Sequence, residues 1–136
     1  MNPFSFVLPA LAAGSLALAA TLPSAVYHAP AAAPPSSKAT SQQIMKGSTL
    51  DLKTLEVTTN TLPPGQTSRP RATGAETLLV VQSGQLAVGL HDSTKTLAAG
   101  GLLLAMAGDQ PTLRNAATTP VRYWVLKFTT PEGADA

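Results

Sequence analysis

The spacing of apolar and polar positions divides this chain into three textures. Residues 1–37 carry no charged side chain, and residues 4–22, FSFVLPALAAGSLALAATL, are mostly Leu and Ala. Such a run predicts an apolar helix that is either an export signal or a membrane anchor. Ala17-Leu18-Ala19 supplies a small-residue cleavage site, whereas the basic stretch that should precede a signal is missing. As an uncleaved helix, residues 3–22 would be about 30 Å long, enough for the hydrocarbon core, with Pro9 in its early turns. Ala10 and Gly14 have the spacing of small residues that lets another helix approach. Both readings of residues 1–25 stand. Residues 26–46, with APAAAPPSSKATSQQI at 29–44, read as an extended Ala/Pro/Ser linker. Lacking apolar periodicity, residues 1–44 are expected to add nothing to the stability of the domain downstream.

From about residue 47 the pattern becomes one of short strands between turn signals. Residues 50–62 alternate in two phases, Leu50 and Leu52 and then Leu55 and Val57, which predicts two strand pieces joined by a bulge. Pro63-Pro64-Gly65 ends them. Residues 77–81 form a buried-looking run, Ser83-Gly84 a tight turn, and Leu86, Val88 and Leu90 alternate along the next strand. These three should face inward, with Gln85 and Ala87 outward. A turn is expected at residues 92–95, then strands at 96–98, 102–106, 112–115 and 121–128, with turns at Gly100-Gly101, Gly108-Asp109 and 118–120. Seven or eight strands at about ten-residue spacing predict an all-β sandwich or barrel over residues 47–130, and 131–136 read as a disordered tail.

Composition narrows this picture. With 12 Pro and 10 Gly in 136 residues and only 12% charged side chains, many turns and short strands fit better than a helical bundle. Aromatics are 4%, so Leu, Val and Ala must build the core. The net charge of +2 is scattered, with no basic patch, so no nucleic-acid partner is expected. The absence of cysteine excludes disulfides, thiolate metal sites and cysteine nucleophiles.

The glycine turns resemble those of the cupin superfamily, whose second motif reads G-x5-P-x-G-x2-H-x3-N. Gly100, Met106, Gly108, Pro111 and Asn115 stand in that order and spacing, with Met106 in place of the proline and Pro111 in place of the histidine. The first motif, G-x5-H-x-H-x3,4-E-x6-G, is matched more loosely: Gly65 precedes, Arg69-Pro70-Arg71 takes the place of H-x-H, Glu76 comes after it, and Gly84 closes the hairpin one residue late. The resemblance implies a small jelly-roll barrel. In the metal-binding members three histidines and a glutamate hold the ion. Here Arg69, Arg71 and Pro111 replace the histidines, and neither side chain type can ligate, so no metal and no other cofactor is expected. His28 in the linker and His91 beside a hairpin turn do not replace them.

Arg69 and Arg71 remain the most interesting pair, because i and i+2 side chains of an extended segment share a face. Together they could grip a carboxylate or phosphate at the barrel mouth, with Glu76 nearby; on an exposed loop they would only face water. Tyr123 and Trp124 read as core and rim of the last strand. No catalytic set stands out. The expected function is thus a non-catalytic envelope protein, tethered or exported, on the periplasmic side or membrane-anchored. It acts as a binding or accessory module and could be a subunit of a membrane complex joined through the N-terminal segment. Lys38, Lys46 and Lys53 all come after the apolar run, which weighs toward the opposite topology. The alternative is a metal-independent enzyme or sensor that holds a small anion through Arg69 and Arg71. The resemblance also raises a homodimer paired through strand edges.

Overall fold

A computed structural model describes residues 21–31, 34 and 36–131. The apolar helix expected over residues 1–20 and nearly all of the expected tail lie outside the described residues. Among those described there are nine strands and no helix, hence none able to cross a membrane. One sheet has five strands in the order β1 (Thr40–Gly47), β2 (Thr54–Leu62), β9 (Val121–Thr129), β4 (Glu76–Ser83) and β7 (Leu102–Ala105). The other has four, β3 (Thr67–Ser68), β8 (Thr112–Arg114), β5 (Leu86–Leu90) and β6 (Ser93–Leu97). All pairings are antiparallel. The chain crosses between sheets repeatedly, so sheet neighbours such as β2 and β9 are far apart in sequence, and the two sheets face each other as a flattened barrel.

Alternation along each strand decides what enters the barrel. Leu62, Leu79, Val81, Leu86, Leu113 and Val121 are almost fully buried and form one cluster, with Val88 and Tyr123 beside them. Each buried aliphatic side chain contributes about 1.5 to 3 kcal/mol of transfer free energy, so this small core must be well packed to stabilise the fold. The expected orientation of β5 holds at Leu86 and Val88, which are buried, and at Gln85, which is exposed; Ala87 and Leu90 are both half-buried, and Leu90 is not part of the core cluster.

Three boundaries differ from those read in the sequence. The segment 26–46 is not linker throughout, because β1 occupies Thr40–Gly47 and pairs with β2 along its length. An edge strand paired on one flank only is held by backbone hydrogen bonds more than by apolar alternation, and TSQQIMKG shows none of the latter. The upstream residues also touch the barrel: the Leu22 amide donates to the Ser48 carbonyl at 2.7 Å, and the Gln66 carboxamide donates to the Ser37 carbonyl. The expected linker thus overlaps the barrel at β1 and touches it at Leu22 and Ser37. Leu50 is 93% exposed and precedes the strand rather than opening it, and the bulge falls in β1, between Gln43 and Met45. Finally, the hairpin turn is His91-Asp92, not residues 92–95. Both have positive φ (51° and 63°) and Leu90 pairs with Ser93, the geometry of a two-residue type I′ turn. The polar stretch that resembles a loop is β6, exposed at a sheet edge.

Candidate functional site

Between the sheets lies a cavity of about 290 Å³, floored by Leu113 and walled by inward residues of the five-stranded sheet. One wall is polar: Glu56, Thr58 and Asn60 occupy alternate positions of β2, and Ser41 of β1 extends that wall. The opposite wall is apolar, with Leu79 from β4 and Leu103 and Ala105 from β7. Between them β9 contributes Tyr123, Val125 and Lys127. A ligand seated here meets hydroxyl, amide and charged groups on one side and hydrocarbon on the other.

The segment between β3 and β4 forms part of the mouth. It is irregular over residues 69–75, so the rule that i and i+2 side chains share a face does not apply. Arg71 lines the cavity, as do Pro70 and Thr73, but Arg69 does not. Glu76 opens β4 on the face opposite to Thr77 and Leu79, is exposed, and also lies outside the cavity. The three residues singled out in the sequence are thus not brought together; only Arg71 reaches the site. Among the described residues Arg71 has no carboxylate within ion-pair distance. Lys127, the other cation of the cavity, stands opposite Glu56 in the β2–β9 register.

Asp109 closes another part of the mouth. Its Oδ1 lies 3.0 Å from His91 Nε2, and its Oδ2 accepts from the Met106 amide at 3.0 Å. The Asp109 amide in turn donates to the Met106 carbonyl at 3.0 Å, so the turn at 106–109 is closed from both ends. The hydrogen bond from His91, then that from the Met106 amide, hold the Asp109 carboxyl below the ordinary aspartate range. His91, read as a solvated hairpin residue, is exposed but ties the β5–β6 turn to the cavity mouth.

Sequence reasoning missed Tyr123 as a cavity residue. It is 6% exposed, and burial pushes its phenol above the ordinary tyrosine value. The signal was present in VRYWVLKFT, where Val121, Tyr123, Val125 and Lys127 share one face and Trp124 must take the other. Trp124 indeed lies outside, its indole N–H donating to Gln82 Oε1 at 2.8 Å.

The side chains of this cavity do not fit a transition metal. The ligand types lining it are Glu56 and Asp109, and both oxygens of Asp109 are already engaged. Two cations, Arg71 and Lys127, share the space and repel a divalent ion. Among the described residues no group of three His, Cys, Asp or Glu side chains converges on one point.

No family model matches the sequence, and no curated protein does. Solved structures do. The structure is similar to a Cupin_2 domain of an XRE-family transcriptional regulator from Enterobacter cloacae, at a TM-score of 0.59 and 22% identity over 68% of this chain and 97% of that one. It is also similar to an RmlC-like cupin with a double-stranded β-helix fold from Methanocaldococcus jannaschii, at a TM-score of 0.64 and 14% identity over 85% of this chain and 99% of that one. A third likeness is to a Cupin 2 conserved barrel domain protein from Salinispora arenicola, at 0.59 and 13% over 79% and 95%. By fold, this chain is a cupin barrel.

The spacing of the second cupin motif now has a structural meaning. Gly100 and Gly108 take positive φ at the ends of the loops flanking β7, and Asn115 is wholly buried. Pro111 and Arg71, at two of the histidine positions, line the cavity of this cupin barrel, while Arg69, at the third, does not.

Proposed function

We propose that this cupin barrel is a non-catalytic binding module of the bacterial cell envelope that holds a small amphipathic anion where metal-binding relatives hold an ion. The observation that carries this reading is the position of Arg71. It stands at the mouth of a cavity of about 290 Å³ without a carboxylate partner among the described residues, while Glu56 faces Lys127 and Asp109 is engaged by His91. A guanidinium so placed binds a carboxylate or phosphate through paired hydrogen bonds, and the Leu79 and Leu103 wall accepts an apolar tail. The Tyr123 hydroxyl and Thr58 lie alongside as neutral partners for the rest of the ligand. The envelope location rests on the apolar, uncharged residues 4–22, which export or anchor the chain, and in the anchored form the barrel serves as an accessory subunit at the membrane surface.

The test compares hexanoate with hexanamide, titrated into the isotope-labelled protein and followed by NMR. Hexanoate should perturb the amides of β2, β4 and β9, and hexanamide should bind about tenfold more weakly. Arg71→Gln should abolish that difference, whereas Arg69→Gln should leave it intact. Equal binding of the acid and the amide, or insensitivity to Arg71→Gln, would refute the proposal.

A further inference from the structure

The register of the five-stranded sheet gives the cavity a depth. Across β2, β9 and β4 the inward residues form three successive rows: Glu56, Lys127 and Thr77, then Thr58, Val125 and Leu79, then Asn60, Tyr123 and Val81. The first row stands at the mouth, because the loop at 69–75 that carries Arg71 runs into β4 beside it. The third row is the deep end. Its Val81 belongs to the buried core and does not line the cavity, and the next inward pair, Leu62 and Val121, is core as well. Lys127 and Tyr123 are four residues apart on β9, about 14 Å along an extended strand.

The deep end is polar although the core it borders is not. Tyr123 is 6% exposed and faces into the cavity, and its hydroxyl makes no hydrogen bond with any of the described residues. Beside it, Asn60 Nδ2 donates to Thr58 Oγ1 at 3.0 Å and to the Tyr123 carbonyl at 3.5 Å. A carbonyl only accepts, so the nitrogen must face it. Oδ1 is left on the other side of the carboxamide, where it accepts from none of the described residues. Polar groups this deep lose their hydration once an apolar chain fills the cavity, and leaving them unmatched weakens binding.

These two groups also select what can meet them. Burial keeps the Tyr123 phenol protonated, so it can give or take a hydrogen bond, whereas Asn60 Oδ1 can only take one. A hydroxyl, both donor and acceptor, satisfies the pair. A methyl group satisfies neither, and a second carboxylate would face Oδ1 with like polarity and lose its hydration there. We infer that the ligand of this cavity is a hydroxy acid whose hydroxyl lies at the end remote from its carboxylate, and that Tyr123 selects it. The inference rests on the anion-binding reading of Arg71 and deepens it. The carboxylate stays at the mouth, hydrocarbon lies along Val125, Leu79 and Leu103, and the hydroxyl reaches Tyr123.

The test titrates 6-hydroxyhexanoate, hexanoate and adipate into the wild type, Tyr123→Phe and Arg71→Gln, followed by NMR. The wild type should bind 6-hydroxyhexanoate about tenfold more tightly than hexanoate, and adipate no more tightly than hexanoate. Tyr123→Phe should bind the two monoacids equally, and its melting temperature without ligand should not fall, because no bond within the protein is lost. Arg71→Gln should weaken both monoacids and keep their ratio. Equal binding of the two monoacids by the wild type, a preference that survives Tyr123→Phe, or tighter binding of adipate would overturn the inference while leaving the role of Arg71 in place. A fall of several degrees in the melting temperature of Tyr123→Phe would also overturn it, since the hydroxyl would then be bonded within the protein. If none of the three acids binds, the anion-binding reading fails and this inference with it.

Discussion

The Asn115 carboxamide joins two parts of the barrel: its Nδ2 donates to the Leu62 carbonyl at 2.9 Å, between residues 53 apart in sequence. The same nitrogen donates to the Thr119 carbonyl at 2.8 Å, and Oδ1 accepts from the Ala117 amide at 3.0 Å. The end of β2 and the turn before β9 are thereby held to the end of β8, with every polar atom of a fully buried side chain satisfied. Asn115→Ala leaves the buried Leu62 carbonyl, and the part-buried Thr119 carbonyl and Ala117 amide, without this partner and should cost about 1 to 3 kcal/mol. Asn115→Asp should cost at least as much, since a carboxylate facing carbonyl oxygens replaces donors by an acceptor. Urea unfolding of the two variants at neutral pH measures both, and a loss under about 1 kcal/mol for either would show that the turn stands without Asn115.

Two turn glycines should differ in a way that separates backbone strain from crowding. Gly108 has φ of 89° with nothing within 4 Å of where a Cβ would stand, so Gly108→Ala should cost about 1 kcal/mol from the conformation alone. At Gly84, φ is 83° and a Cβ would meet the Pro120 carbonyl at 2.7 Å and Val121 Cα at 2.9 Å. Gly84→Ala should therefore cost about 2 kcal/mol or more, because backbone must move. Lys95→Ala, on exposed β6, should stay under about 0.5 kcal/mol and serves as the control. Thermal unfolding of the three variants gives the order directly.

Acid should loosen the mouth of the cavity first at Asp109. Its carboxyl is held below the ordinary value in the folded protein, so its contribution to stability is present above the unfolded aspartate pKa of about 4 and is lost as the pH falls through the lower folded value. Asp109→Asn should thus melt below the wild type at pH 7, with the gap closing as the pH drops from about 4 toward 2. A gap that persists unchanged at pH 2 would mean that the carboxylate charge plays no part.

Strands with two chemically different faces were legible from the sequence. Leu86, Val88 and their neighbours declared their inward row by alternation, and the positive-φ glycines at 84, 100 and 108 marked turns where other residues are strained. Strands lacking such contrast were not. Thr40–Gly47 and Ser93–Leu97 are polar edge strands held by backbone hydrogen bonds, and the backbone is the same for every sequence. In the site, Arg71 was legible through its place in a motif and Tyr123 through its parity on β9, whereas the pairing of Arg71 with Arg69 assumed an extended segment that the loop at 69–75 does not provide.

Local pattern alone therefore determined that this chain makes an all-β fold and where most of its turns fall. Tertiary structure decided which residues share the cavity, because Glu56, Arg71, Asp109 and Tyr123 come from segments that only the crossing between sheets brings together. It also decided that His91 and Asp109, eighteen residues apart, would meet across two turns. Contacts of this kind depend on how two sheets are stacked, and stacking is set by the summed burial of both faces rather than by any short stretch of sequence.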